Sequence, residues 1–220
     1  MILIPVKNSL AAKQRLASIL DQPARTELAQ TMLHDVAAEI ATWEGRPACA
    51  VVTSDPFAIE IAERYDFELI LERSNPGETG AIEMATNLCV ARGLAYTLVI
   101  PADIPLLKAS ELEKVLSRAP KQGCVLAPAF DGRGTNAAFR RPADLIPLRF
   151  GNDSFKPHLA AARATGKECV VLNLPGLAVD VDNPSDLQQV LARSGETRTQ
   201  SLLRRWGLGA DVLSNQESGT

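Results

Sequence analysis

The sequence predicts an α/β fold: a mostly parallel β-sheet with helices on both faces. Three observations carry this. Short runs rich in β-branched and aliphatic residues alternate with longer segments of helical periodicity. Several of the short runs are continuously apolar, as strands buried on both faces are. The resulting order, βαβαβαβαβ, sets successive strands side by side with helical crossovers.

Ile2 to Val6 reads as the first strand. A long helix follows, in which Leu28, Met32, Val36 and Ile40 recur every four residues and Leu33 and Ala37 widen the stripe. Asp21 suits its cap, and Pro23 is tolerated in the first turn. Cys49 to Thr53 and Glu68 to Leu71 are strands on either side of a helix marked by Ile59 to Ala62. Ile82, Ala85 and Leu88 mark the next helix, then come the strand Tyr96 to Ile100 and a helix at Leu112, Val115 and Leu116. Cys124 to Ala129 and Glu168 to Leu172 complete the strands. A last helix opens with Asn183 as cap, Pro184 at its first position and Asp186 at its third. Asp186 is thus expected to cap rather than to bind a ligand. From Ser194 the pattern weakens. Residues 1–193 form one domain in this reading, and residues 194–220 a partly disordered extension, with one short helix from Ser201 to Trp206 and no order from Ser214 to Thr220.

Composition narrows the function classes. Of 220 residues, 46% are hydrophobic and only 5% aromatic, so the core is ample and mainly aliphatic. A net charge of -3 argues against general nucleic-acid binding. No apolar run reaches the length of a membrane span, and Met1 to Lys7 lacks the pattern of a secretion signal. Cys49, Cys89, Cys124 and Cys169 are far apart, without a Cys-x-x-Cys pair, and read as buried thiols in a reducing compartment. A cytoplasmic location is the default expectation.

In open α/β sheets, ligands bind at the carboxyl ends of the strands. Lys7 follows the first strand and Lys13 and Arg15 lie in the loop beyond, with no acidic residue before Asp21. These cations suit a polyphosphate, or else a solvated loop. No Gly-x-x-x-x-Gly-Lys-Ser/Thr and no Gly-x-Gly-x-x-Gly is present, which excludes a P-loop and disfavours a dinucleotide oxidoreductase. After the strand Tyr96 to Ile100, Asp103 stands between Pro101 and Pro105, a stiff loop suited to a metal ligand. In Val179-Asp180-Val181-Asp182, extended alternation puts the valines on one face and both carboxylates on the other. Such a pair repels unless it is solvated or neutralised by a cation, and magnesium favours one or two carboxylates with phosphate oxygens and water. Asp131 to Asn136 is a glycine-containing polar loop open to a small anion, or a plain hairpin turn. Gly151 and Ser154 sit at a predicted helix start, where a ligand anion or a simple cap by Asp153 or Ser154 would account for them. The only two histidines, His34 and His158, read as structural and supporting residues, and neither has an evident Ser or Cys partner for a hydrolase triad.

Taken in order, these segments resemble one known family. Pro5-Val6-Lys7 with Ala12-Lys13-Gln14-Arg15-Leu16, Asp103-Ile104-Pro105-Leu106, Gly134-Thr135-Asn136, Gly151-Asn152-Asp153-Ser154-Phe155 with His158-Leu159, and Asp180-Val181-Asp182-Asn183-Pro184-Ser185-Asp186-Leu187 are similar to the successive motifs of the 2-phospho-L-lactate, phosphoenolpyruvate and 3-phospho-D-glycerate guanylyltransferases of deazaflavin coenzyme (F-420) biosynthesis. The resemblance implies a Rossmann-like, GT-A-like nucleotidyltransferase fold. It implies transfer of GMP from GTP to the phosphate of a small phospho-acid, with pyrophosphate released. By position, Asp103, Asp180 and Asp182 would hold Mg2+. Lys7 would contact the triphosphate, with Lys13 and Arg15 beside it, and Lys7 and Asp103 would act in catalysis. Thr135, Gly151 and Ser154 would bind the phospho-acid. GTP and that acid are the implied partners, and the next enzyme of the pathway is a candidate protein partner. One segment departs: Gly77-Glu78-Thr79-Gly80 stands where many relatives have Gly-Leu-Asn, so base reading through an asparagine is not carried over.

The rival readings are another nucleotidyltransferase or a glycosyltransferase of the same fold, or a nucleotide-binding module without catalysis. The first of these usually opens on a glycine-rich loop, which Pro5-Val6-Lys7-Asn8-Ser9 lacks. A binding module would rarely need three carboxylates beside a phosphate.

Overall fold

The computed structural model describes residues 1–72, 77–151 and 153–208. A seven-stranded sheet runs in the order β3-β2-β1-β4-β6-β5-β7. Its strands are β1 (Ile2–Val6), β2 (Cys49–Thr53), β3 (Glu68–Leu71), β4 (Thr97–Val99), β5 (Gly123–Pro128), β6 (Thr135–Arg141) and β7 (Glu168–Val171). Six of the seven share one direction; β6 alone is antiparallel, to both β4 and β5. The mostly parallel sheet expected from the apolar runs is therefore present, with one strand that the runs did not mark.

β6 begins inside the Asp131 to Asn136 segment. The plain hairpin is what forms: Ala129 N–H donates to the Gly134 carbonyl at 3.0 Å, and the Arg133 N–H to Asp131 Oδ1 at 2.7 Å. Gly132 closes the turn at φ 69°, a conformation glycine adopts without the Cβ penalty. Because β6 runs backwards, its first residues, Thr135 and Asn136, lie at the same edge as the carboxyl ends of its neighbours.

Alternation along the strands divides the core. On one face Ile2, Ile4, Val51, Leu98 and Phe139 pack with α1 (Gln22–Ala41), α2 (Pro56–Arg64) and α4 (Ala109–Ser117). On the other, Leu3, Ala50, Val52, Val99 and Leu126 pack with α3 (Gly77–Ala91) and α5 (Phe155–Ala164). The α1 stripe is buried as its period required, and Asp21 caps the helix by accepting from Ala24 N–H at 2.9 Å.

A third cluster joins the amino end of α1 to the last described elements, α6 (Pro184–Ala192) and α7 (Arg198–Arg205). Leu16, Leu28 and Met32 meet Val181, Leu187, Leu202 and Leu203 there. Asp35 of α1 accepts the Arg198 and Thr199 N–H groups at 3.0 and 2.8 Å, which satisfies the start of α7. The helix expected at Ser201 to Trp206 thus begins at Arg198 and is packed. The segment Ser214 to Thr220 lies outside the described residues. All four cysteines are free, three of them buried and Cys169 half-buried.

Candidate active site

A cavity of about 860 Å³ opens at the carboxyl edge of the sheet, within the range of small-molecule sites. Every residue that the sequence assigns to substrate, nucleotide or metal lines it: Lys7, Lys13, Arg15, Asp103, Asp180, Asp182, Thr135, Gly151 and Ser154. They fall on two walls, one charged and one of hydroxyls.

The charged wall begins at Lys7, which follows β1 and pairs with Glu78 Oε2 at 3.1 Å. Lys13 adopts a left-handed backbone, φ 54° and ψ 43°, uncommon for a residue with a Cβ. That turn sends its side chain inward, where the ammonium contacts Asp103 and lies 3.1 Å from Asp182 Oδ1. Burial alone would depress the Lys13 ammonium, but Asp103 and Asp182 outweigh it and hold its pKa above the ordinary lysine value. Arg15 reaches Asp182 Oδ2 at 3.4 Å. The sequence showed no counter-charge near these cations because the counter-charges come from other strand ends.

The carboxylates are positioned by backbone. Val181 N–H donates to the Asp103 carbonyl at 3.1 Å, which ties the Asp103 loop to the Asp180–Asp182 segment. Val179 and Val181 are buried while Asp180 and Asp182 face the cavity, as extended alternation required. Asp186 caps α6, accepting the Asp182 and Asn183 N–H groups at 2.8 and 2.7 Å, and is thereby occupied. Burial first, and Asp103 nearby second, push the Asp180 carboxyl up to about 6. Asn136 offsets part of this by donating to Asp180 Oδ1 at 3.0 Å.

Among the described residues no group of three or more His, Cys, Asp or Glu side chains is placed so as to hold a metal ion by itself. The donor chemistry nonetheless suits a hard cation: three carboxylates on one wall, one of them resisting ionisation beside another. Lys13 now supplies the positive charge between Asp103 and Asp182.

The second wall comes from the start of β6 and the start of α5. Thr135 and Ser154 are buried but border the cavity, their hydroxyl oxygens 3.3 Å apart. Ser154 makes no side-chain cap to α5, and Asp153 instead forks with Arg133 at 2.5 and 3.0 Å. The simple-cap explanation of these two residues does not hold. Gly151, at φ 136°, borders the same wall.

Three residues of the site were not singled out by sequence. Asp55, just past β2, accepts from Ser9 N–H, Ser9 Oγ and Ala58 N–H at 2.7, 2.8 and 3.0 Å. It moors the loop that carries Lys7 and Lys13, and the strand-end rule applied to β2 finds it. Glu78 lies in the departing segment, and Asn136 braces Asp180.

The chain matches, over residues 1–219, the family model described as guanylyl transferase CofC like. It belongs to that family. Among curated relatives, it is 33% identical to a phosphoenolpyruvate guanylyltransferase of Sphaerobacter thermophilus, covering 85% of this chain and 90% of the relative. A 2-phospho-L-lactate guanylyltransferase of Methanothermobacter thermautotrophicus is 31% identical, with 92% and 89% covered. A 3-phospho-D-glycerate guanylyltransferase of Colwellia psychrerythraea is 34% identical, with 91% and 95% covered. A crystal structure from Desulfovibrio desulfuricans G20, described as a nucleotide-diphospho-sugar transferase, superposes with a TM-score of 0.76 at 20% identity, covering 98% of this chain and 96% of that one. That likeness establishes the nucleotidyltransferase-like α/β fold. Membership of the CofC-like family makes the chain an enzyme of nucleotidyl transfer, and the binding-module reading falls. Among the described residues no helix is long and apolar enough to cross a membrane.

Proposed function

We propose that this CofC-like enzyme moves GMP from GTP onto the phosphate of a small phospho-acid, as a step of coenzyme F-420 biosynthesis in the cytoplasm. A phosphate oxygen of the acid forms a bond to the α-phosphorus, the bond from that phosphorus to the β-phosphate oxygen breaks, and pyrophosphate leaves. The attacking phosphate is already ionised, so no general base is required. Positioning and electrostatics supply the rate.

One observation carries the reading: a single cavity has cations and carboxylates on one wall and a hydroxyl pair on the other. That is a division suited to a triphosphate and a second anion. Lys7, Lys13 and Arg15 would take the triphosphate, and Thr135, Gly151 and Ser154 the phospho-acid. Asp103, Asp180 and Asp182 would hold Mg2+, which would neutralise charge on the reacting phosphates. The three relatives' acids make phosphoenolpyruvate, 2-phospho-L-lactate and 3-phospho-D-glycerate the candidates.

The test is release of pyrophosphate by purified protein from each nucleoside triphosphate, with each acid, with Mg2+ or with a chelator. Release from GTP with at least one acid, lost on chelation, is expected. Silence with every phospho-acid would sink the proposal.

A further inference from the structure

His158 is a 2% exposed histidine with both ring nitrogens engaged. The Arg149 backbone N–H donates to Nε2 at 2.8 Å. A backbone N–H can only donate, so Nε2 carries no proton. Burial, reinforced by Arg140, pushes the pKa of the ring down to about 4. The imidazole is therefore neutral near pH 7, and its one proton sits on Nδ1. Nδ1 lies 2.9 Å from Thr135 Oγ1, so the ring donates and the threonine accepts.

The consequence appears when protons are counted. Thr135 and Ser154 bring two hydroxyl protons, and one of them occupies the 3.3 Å contact between the oxygens. The imidazole supplies its own proton on the other side. One hydroxyl proton is left over, at the cavity wall, with no acceptor for it among the described residues. A buried donor of this kind requires a partner. In the opposite tautomer Thr135 would donate to the ring and Ser154 to Thr135, and no proton would remain for a ligand.

We propose that His158 is a positioning residue that makes the Thr135–Ser154 pair a hydrogen-bond donor to an ionised oxygen of the phospho-acid. The Arg149 N–H sets the tautomer, the tautomer sets the direction of the hydroxyls, and the hydroxyls select an acceptor-only group. The inference rests on the reading of this wall as the acid's side of the cavity. His158 itself touches no reacting atom.

Two measurements on the full chain test it. Nitrogen NMR of histidine-labelled protein has two residues to resolve, His34 and His158, and a His34→Gln variant assigns them. A neutral ring protonated at Nδ1 is expected for His158 at pH 7, and an imidazolium or a proton on Nε2 overturns the proposal. Kinetically, His158→Asn places an amide N–H near the former Nδ1 and can still donate to Thr135. His158→Gln reaches the Nε2 position and serves Arg149, but leaves Thr135 without the donated proton. The glutamine variant is expected to raise KM for the phospho-acid about tenfold or more, and the asparagine variant by less than about threefold, with KM for GTP steady in both. Equal effects, or the reverse order, overturn the assignment. Failure of the underlying activity shows separately, as wild-type protein that releases no pyrophosphate with any acid, and the nitrogen spectrum then decides the His158 assignment alone.

Discussion

Asp55 accepts two hydrogen bonds from Ser9, one from its backbone N–H at 2.7 Å and one from its hydroxyl at 2.8 Å. A third, from Ala58 N–H, caps α2. The carboxylate thus fastens the loop after β1 to the end of β2, and Lys7 and Lys13 ride on that loop. Asp55→Ala is expected to cost about 2–3 kcal/mol of stability, from a lost cap and buried donors left unpaired. Urea denaturation measures this. KM for GTP should rise in the same variant, because the cations lose their mooring.

Asp103 offers its carboxylate to the cavity and its carbonyl to Val181. Asp103→Ala removes the first and keeps the second. Turnover should fall by about 100-fold or more, with the far-ultraviolet circular dichroism unchanged. Near-normal pyrophosphate release from this variant would remove Asp103 from the catalytic wall.

Two groups, buried His158 and half-buried Asp180, make stability depend on pH in opposite senses. His158 has a folded pKa depressed to about 4, below the ordinary histidine value. Its stabilisation is complete above the unfolded pKa, near 6.5, and is lost as pH falls towards 4, by up to roughly 3 kcal/mol. Asp180 has a folded pKa raised to about 6, so the folded state takes up its proton first and gains stability as pH falls through that value. Without added metal, Asp180→Asn should therefore lose more stability than wild type between pH 7 and pH 4, and His158→Asn less. Denaturant midpoints at the two pH values read both differences.

Leu203 of α7 is fully buried against the α1 and α6 side chains. Leu203→Ala should destabilise the protein by about 2–5 kcal/mol, as a cavity in a packed core does. A loss below about 1 kcal/mol would mean that the region after residue 193 contributes little to the fold. Calorimetry of the full chain distinguishes the two.

Much of the architecture was legible because period and polarity agreed. The α1 stripe, the Asp21 cap, the Asn183–Asp186 capping box and the alternation around Asp180 are local features, and the fold leaves them as the residues dictate. β6 was not legible. Its sequence, Thr-Asn-Ala-Ala-Phe-Arg-Arg, has no apolar alternation, yet it lies near the sheet centre. Arg140 makes this tolerable by donating to Ile146 O, Thr86 Oγ1 and Thr97 Oγ1 at 2.9, 2.8 and 3.0 Å, partners separated from it in sequence by 6, 54 and 43 residues. The same limit hid the site's wiring. Lys13 meets Asp103 and Asp182 across 90 and 169 residues, which no spacing rule connects. Residue types showed which groups belonged at the cavity, and only the fold showed how they pair.

The reversed direction of β6 also separates two kinds of variation. The charged wall is set by crossovers between parallel strands, where a change in one loop disturbs a helix and its neighbours. The hydroxyl wall hangs partly on a hairpin, the connection that absorbs insertions and exchanges most readily. On the proposed reading of that wall, relatives that share a fold could diverge in acceptor by re-cutting residues 129–134, and a graft of that short loop is the smallest module with which to try changing one acid for another.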